Sequence, residues 1–212
     1  MCRVGGVATT DDRDNVAGIV LAGGRSRRFG RDKLAEEIGG RPLLHHPVLR
    51  LLDVCDRVVV VIGVGIEEPP MPAGVSVTFA RDSTADEGPL RGLAAGLEVA
   101  DGMWAVVAGG DMPDLQPRVL REMLRAARET TAVAVALSDG GDARPLPCVV
   151  RTEPAADAVA VLLGSGRRRL RDLLSAVRTV VVDEPSWTAL DPGRRSLVDI
   201  DEPADVERAP RR

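Results

Sequence analysis

Short apolar runs rich in Val and Ile alternate along the chain with segments whose apolar residues recur at helical spacing. Seven runs are predicted to be strands: residues 16–22, 58–62, 75–80, 104–108 and 132–137, with weaker candidates at 148–151 and 179–182. The stronger runs are almost continuously apolar, as is typical of parallel strands covered on both faces. Two helical stripes lie between them, one formed by Val119, Leu120, Met123, Leu124 and Ala127, the other by Leu93, Ala94, Leu97 and Ala100. This alternation predicts an α/β fold with three layers and a doubly wound, mostly parallel sheet.

The predicted architecture also indicates where chemistry should occur. Ligands of doubly wound sheets bind outside the carboxyl ends of the strands, so the loops that follow strands are the segments of interest. No internal repeat or linker interrupts the pattern, and residues 16–207 are therefore predicted to form a single domain. Residues 1–15 and 208–212 are expected to be disordered tails.

Composition narrows the classes of function. The 212 residues include 28 Lys+Arg and 32 Asp+Glu, a net charge of −4 that argues against a nucleic-acid binder. No apolar stretch reaches the roughly 18 residues of a membrane helix, so no membrane partner is expected. Cys2, Cys55 and Cys148 lack C-x-x-C spacing, which favours a cytoplasmic protein without a structural metal. The adjacent His45 and His46 are predicted to begin a helix and to carry no chemistry.

The segment that follows the first predicted strand reads LAGGRSRRFGRDK over residues 21–33. Gly23 and Gly24 allow a sharp turn whose N–H groups can approach an anion. Cationic side chains surround this turn, namely Arg25, Arg27, Arg28, Arg31 and Lys33. A phosphate-binding loop is predicted, with a basic surface turn as the alternative. It is not a Walker A loop, because Lys33 lies three residues after Gly30, and it lacks G-x-G-x-x-G spacing.

Residues 20–33 closely resemble the signature of the MobA-like nucleotidyltransferases, whose best-known member guanylylates the molybdenum cofactor. Further motifs resemble those of the family in the same order: GGRPL at 39–43, GPLRGL at 88–93, GDMP at 110–113 and DIDEP at 199–203. The resemblance covers about residues 16–207. It implies transfer of NMP from an NTP, with GTP favoured, to the phosphate of a small acceptor, with molybdopterin favoured. It also implies Mg²⁺ as cofactor, release of pyrophosphate, and proteins of molybdoenzyme maturation as partners.

The resemblance also implies roles for individual residues. The nucleotide would be bound by Leu21, Ala22, Gly23, Gly24, Lys33, Asp82 and Asp111. Catalysis would depend on Arg28, Lys33 and Asp111. The metal would be held by Asp111 and Asp201. Weaker candidates for the acceptor site are Gly92, Arg144, Arg167, Arg168 and Asp199.

Each acidic candidate also has a structural alternative. Asp111 follows a predicted central strand and could instead cap the next helix, but Asp114 is closer to that helix and is predicted to be its cap. Asp199 and Asp201 alternate along a short strand or turn, so only one should face the site, and the resemblance favours Asp201. An aspartate at position 201 could equally cap a helix that begins at residues 202–203.

Asp82 could cap a turn ahead of Ser83. Arg167 and Arg168 could belong to the solvated face of a helix whose buried side is formed by Leu170, Leu173, Leu174 and Val177.

Two departures from the family pattern concern the substrate. Val61 stands where many members have an asparagine near the nucleotide, and the closing D-x-D is shared with cytidylyl-transferring relatives. The alternatives are therefore a cytidylyltransferase, an enzyme that activates sugar phosphates or phospholactate, and a nucleotide-binding regulator without catalysis. A nicotinamide-dependent oxidoreductase is disfavoured by the glycine spacing. The LAGG form of the loop accompanies guanine in the family, so GTP is expected to be preferred.

Overall fold

A computed structural model describes residues 15–23, 33–82, 88–201 and 205. Arg28, Gly24 and the predicted tails lie outside the described residues, apart from Asn15. The elements in chain order are β1 (Val16–Leu21), β2 (Glu37–Ile38), β3 (Arg41–Pro42), α1 (His45–Leu52), β4 (Arg57–Gly63), β5 (Thr78–Asp82), α2 (Pro89–Val99), β6 (Trp104–Gly109), α3 (Pro117–Arg128), β7 (Ala134–Asp139), β8 (Asp142–Arg151), α4 (Thr152–Gly164), α5 (Leu170–Ala176), β9 (Thr179–Val182) and α6 (Glu184–Leu190). Short 3-10 turns lie at Lys33–Ala35 and Arg195–Leu197.

Seven of the strands form one sheet in the order β5-β4-β1-β6-β8-β7-β9. Only β8 among them runs antiparallel to its neighbours, β6 and β7. Leu21 of β1 pairs with Val61 of β4 and with Gly109 of β6, so these three strands end side by side. The loops after them therefore emerge at one edge of the sheet. All seven predicted strands are present, and the predicted doubly wound, mostly parallel α/β fold is confirmed.

Apolar side chains cover both faces of the sheet. In β4, Val58, Val60 and Ile62 pack into one core, while Val59 and Val61 pack into the other. This alternation follows from the two-residue period of a strand. The helices α1, α3 and α6 contribute to the first core and α2, α4 and α5 to the second, which gives the three layers.

The helical stripes are largely as predicted. All five apolar residues predicted in α3 are buried, and in α2 Leu93 and Leu97 are buried while Ala94 and Ala100 are half-buried. Helix α1 begins at His45, as the histidine pair predicted. In the described part of the chain, no helix is both long and apolar enough to cross a membrane.

Two local features differ from prediction. Helix α3 begins at Pro117 with Gln116 as its N-cap, and the Gln116 side chain donates to the main-chain oxygen of Asp114. The prediction that Asp114 caps this helix was therefore wrong. The hairpin of β2 and β3 was not predicted, because two strands of two residues each are too short to produce a hydrophobic pattern.

Candidate active site

The carboxyl ends of β1, β4 and β6 are joined by main-chain hydrogen bonds. The Ala22 N–H donates to the Val61 carbonyl at 2.8 Å, and the Gly110 N–H donates to the Leu21 carbonyl at 3.0 Å. These bonds fix where each following loop begins. They also occupy two main-chain groups of the predicted nucleotide loop, the Leu21 oxygen and the Ala22 nitrogen.

Lys33 lies at the centre of the charged residues at this edge. Its ammonium Nζ donates to Oδ2 of Asp111 at 2.8 Å and lies 3.6 Å from Oδ1 of Asp201. The Lys33 side chain is only 13% exposed, whereas that of Asp201 is 59% exposed. Three separate segments thus bring together the lysine and two carboxylates singled out in the sequence, and we call these three residues the lysine cluster.

A small apolar cluster supports this arrangement. Ile200 is buried against Ile38 and Leu43, and Leu34 packs on the same group. The Ile200 N–H also donates to the Asp111 carbonyl at 2.9 Å. Because Leu34 follows Lys33 and Ile200 precedes Asp201, burial of these two side chains carries their charged neighbours to the same place. This support was not predicted, because its only signal in the sequence is the single apolar residue between two aspartates.

Asp199 belongs to the same charged neighbourhood. Partial loss of solvation raises its pKa, the carboxylates of Asp201 and Asp111 raise it further, and the guanidinium of Arg144 opposes them. Residues 198–201 form no regular strand, so the alternation from which the orientation of the two aspartates was predicted is absent there, and that only one of them faces the site stays a prediction. Direct contact with Lys33 nevertheless distinguishes Asp201 from Asp199.

Arg144 approaches the site from β8. Its Nη1 lies 3.5 Å from Oδ2 of Asp139, and its buried Nε has no hydrogen-bond partner among the described residues. The Arg144 side chain as a whole is 40% exposed, so an anion would reach this guanidinium at its exposed part and not at Nε. The guanidinium lies close enough to Asp199 to oppose the rise in the pKa of that carboxyl, which places Arg144 near the closing turn.

The remaining acceptor candidates lie around the start of α2. Gly92 is buried in the first turns of this helix, close to Leu21 and Val61. The Leu90 N–H donates to the carbonyl of Arg168 at 3.2 Å. The Arg168 side chain donates to the carbonyl of Leu163. These contacts tie the segment around Arg168 to the amino end of α2.

Arg167 lies in the same segment. Its Nη1 is 3.5 Å from Oδ1 of Asp172 in α5, and its side chain is 64% exposed. The buried side predicted for helix α5 is largely confirmed, because Leu170, Leu173 and Leu174 are buried and Val177, just after the helix, is half-buried. The contacts of Arg167 therefore fit a solvated helix end as well as an acceptor site.

Two further positions concern the nucleotide. Asp82 ends β5 and pairs in register with Gly63, so it reaches the same edge two strands away from β1. Val61, in contrast, is 1% exposed, and its side chain packs beneath Gly96 of α2. Its side chain therefore belongs to the core and cannot take the place of a base-binding asparagine.

The carboxylates around Lys33 are the candidate ligands for Mg²⁺. In the described residues, no group of three or more His, Cys, Asp or Glu side chains is close enough to hold a metal. Asp111 and Asp201 do approach one cation, the ammonium of Lys33. Mg²⁺ is commonly bound by one or two carboxylates together with substrate phosphates and water. The donor set therefore fits a metal that arrives with a nucleotide and does not fit a metal cage made of protein alone.

Comparisons with known proteins identify relatives of this chain. The family model of the MobA-like NTP transferase domain matches residues 18–180. A probable molybdenum cofactor guanylyltransferase of Natronomonas pharaonis is 34% identical over 91% of this chain and 95% of its own length. A protein of the same description from Mycobacterium avium is 37% identical over 84% of this chain and 91% of its own length.

Solved structures share the fold. Molybdopterin-guanine dinucleotide biosynthesis protein A from Archaeoglobus fulgidus matches with a TM-score of 0.72 at 23% identity, covering 91% of this chain and 96% of its own. The 2-C-methyl-D-erythritol 4-phosphate cytidylyltransferase of Thermus thermophilus matches with a TM-score of 0.66 at 18% identity, covering 90% and 95%. The architecture is therefore common to proteins described as acting on different substrates.

Proposed function

The chain belongs to the MobA-like NTP transferase family, and we propose that it transfers GMP from GTP to the terminal phosphate of molybdopterin. The observation that carries the proposal is the lysine cluster at the carboxyl ends of β1 and β6, where Lys33 lies between two carboxylates. The description of the relatives as probable molybdenum cofactor guanylyltransferases supports the choice of acceptor.

The proposed reaction is an in-line displacement at phosphorus. An oxygen of the acceptor phosphate forms a bond to the α-phosphorus, and the bond from that phosphorus to the bridging oxygen of the β-phosphate breaks. Pyrophosphate leaves with that electron pair. The obstacle is charge, because two polyanions approach each other while negative charge gathers on the transferred group. Catalysis then consists of positioning and electrostatic stabilisation.

Lys33 supplies a fixed cation for the phosphates. Its largely buried stem and its bond to Asp111 hold the ammonium at the end of β6, so little rearrangement is needed when phosphate arrives. Asp111 and Asp201 would hold Mg²⁺, which neutralises and orients phosphate oxygens when bound. Arg28 and Gly24 are proposed to contact the same phosphates.

Arg144 is proposed to hold the phosphate of the acceptor. Its partly exposed guanidinium and its position near Asp199 favour an anion that enters from the side of β8. Gly92, Arg167 and Arg168 would lie farther along the acceptor, beside the start of α2. Proteins of molybdoenzyme maturation are the proposed recipients of the product, in the cytoplasm.

Guanine is the proposed base, with moderate discrimination. The LAGG sequence of the loop supports GTP. The Leu21 carbonyl and the Ala22 N–H already bond within the fold, so recognition falls on the remaining groups of that loop and on Asp82. A polar group on the buried edge of a base that lacks a hydrogen-bond partner costs about 1–3 kcal/mol of binding free energy. We therefore expect a weaker preference for GTP over CTP than in relatives with an asparagine.

The test is a pyrophosphate assay with each NTP, Mg²⁺ and isolated molybdopterin, followed by competition that gives kcat/KM for GTP and CTP. We expect release of pyrophosphate with GTP and a lower kcat/KM with CTP. A clear preference for CTP would place the chain among the cytidylyltransferases. Nucleotide binding without pyrophosphate release on any acceptor would favour a regulator.

A further inference from the structure

The two oxygens of the Asp111 carboxylate have different surroundings. Oδ2 accepts the hydrogen bond of Lys33. Oδ1 lies beside the Cα of Gly109, in the space where any other residue would carry its side chain. A Cβ added at Gly109 would overlap Oδ1 far inside van der Waals contact. The carboxylate thus occupies room that exists only because position 109 lacks a side chain.

The main chain around this contact is tied on both sides. The Gly110 N–H bonds to Leu21 of β1, and the carbonyl of Asp111 accepts from Ile200 of the closing turn. The Met112 N–H also donates to the carbonyl of Gly109 at 3.3 Å. A clash at position 109 would therefore be relieved most easily by rotation of the Asp111 side chain, since the backbone is held by three hydrogen bonds.

The fold itself can accept a methyl group at this position. The φ of Gly109 lies outside the left-handed region, so its backbone conformation suits alanine. The other atoms near an added Cβ belong to the Met112 side chain, with Cγ at 3.3 Å and Sδ at 3.5 Å. An unbranched thioether adapts readily to such crowding.

We propose that Gly109 is a positioning residue whose missing side chain holds the Asp111 carboxylate against Lys33. Substitution at this position separates the carboxylate from the ammonium while the sheet stays intact. The kinetic consequence rests on the proposed function, because it assumes that Asp111 acts in nucleotidyl transfer. The structural consequence does not.

The first test is Gly109→Ala, with Gly164→Ala as the matched control. Gly164 ends α4, its φ is also outside the left-handed region, and an added Cβ there would meet no heavy atom within 4 Å. We expect a crystal structure of Gly109→Ala to show loss of the 2.8 Å contact between Lys33 and Asp111. We also expect kcat to fall about a hundredfold with little change in the KM for the NTP, as for a displaced catalytic group. Gly164→Ala should resemble the wild type.

The second test is a double-mutant cycle that requires no activity. Gly109→Ala is made in the wild type and in Asp111→Ala, where no carboxylate is left to displace, and the melting temperature Tm is measured. We expect a lower Tm in the wild type and an unchanged or slightly higher Tm in the Asp111→Ala background, because alanine restricts the unfolded chain. Equal decreases in both backgrounds, or a variant structure that keeps the Lys33 contact, would overturn the proposal. If no acceptor yields pyrophosphate, the proposed function fails while this cycle still decides the role of Gly109.

Discussion

Two charged clusters on this fold each place one cation between two carboxylates, but they differ in how completely the cation pairs with them. In the one that we call the arginine cluster, the Arg194 guanidinium bonds to both Asp139 and Glu184. Its charged carbon lies 5.2 Å from the centroid of the Trp187 ring, and Glu184 also accepts from the Gly140 N–H. Each charged group there has a partner within the fold.

In the lysine cluster, two carboxylates share one cation unequally. Lys33 bonds to Asp111 and lies farther from Asp201, and Asp199 adds a third carboxylate whose pKa is raised by its surroundings. Both clusters have two carboxylates for one cation, but Arg194 bonds to both of its carboxylates, whereas Lys33 bonds to only one of its two, Asp111. Carboxylates that are all paired indicate a structural role, whereas carboxylates that repel one another indicate a site that a cationic ligand completes. The following variants test that distinction.

The largest effect is expected from Asp111→Ala. The variant removes the carboxylate bonded to Lys33 and a proposed metal ligand, so pyrophosphate release should fall by at least about a hundredfold. Nucleotide affinity, measured by calorimetry, should remain detectable because it depends mainly on the loop that follows β1. Asp114→Ala, three residues away, is the control and should keep wild-type turnover. Wild-type turnover in Asp111→Ala would remove this carboxylate from the mechanism.

A smaller effect should separate the two aspartates of the closing turn. Asp201 contacts Lys33, whereas Asp199 influences the cluster only through its charge. Asp201→Asn should therefore reduce kcat more than Asp199→Asn at saturating Mg²⁺. The measurement is a comparison of kcat under identical conditions. Equal losses would mean that contact with Lys33 does not set the role of the residue.

The difference between these aspartates also shows what the sequence could and could not predict. Buried parallel strands were predictable, because residues 58–62 are continuously apolar and can lie only inside a sheet. The position of Asp111 at the end of β6 followed from the same pattern. The support beneath Asp201 did not, because it depends on Ile200 meeting Ile38 and Leu43 from distant segments.

Two further details show the same limit. The burial of Val61 was predicted by the apolar run at 58–62, but its contact with Gly96 of α2 is encoded by no local pattern. Asp114 does not cap α3 because the chain continues to Gln116 before the helix begins. Local sequence thus predicted the strands of the main sheet, the helical stripes of α2 and α3 and the acidic strand end, while tertiary contacts determined which groups meet.

Breaking the arginine cluster should lower the stability of the protein more than its turnover, which is the opposite of what we expect for the lysine cluster. Arg194→Met removes the cation shared by Asp139 and Glu184 but keeps an apolar stem over Trp187. We expect a Tm lower by a few degrees, because the pairs are partly exposed, and at most a small change in kcat, because Arg194 reaches the proposed site only through Asp139 and its 3.5 Å pair with Arg144. Circular dichroism melts and the pyrophosphate assay give the two values. A large loss of kcat in a folded variant would contradict the structural role of this cluster.

The smallest and most discriminating effect is the dependence of stability on pH. The hydrogen bond from Arg194 lowers the pKa of Glu184 below its ordinary value of 4.5, whereas desolvation and the carboxylates of Asp201 and Asp111 raise the pKa of Asp199 above its ordinary value of 3.8. A lowered carboxyl pKa contributes stability above the ordinary value, and that stability is lost as pH falls through the folded-state value. A raised one contributes stability below the ordinary value, which is lost as pH rises through the folded-state value.

At neutral pH the ionised Glu184 therefore stabilises the fold and the ionised Asp199 destabilises it. In protein kept in EDTA without nucleotide, Glu184→Gln should lower Tm at pH 7 and Asp199→Asn should raise it. Both differences should shrink in acid, where the wild-type carboxyls become protonated and resemble the amides. Melting curves of the two variants and the wild type between neutral pH and pH 3 measure the effect. Shifts of the same sign at pH 7 would show that the carboxylates of the two clusters are not stabilised differently, and the distinction between a structural and a ligand-binding cluster would then be lost.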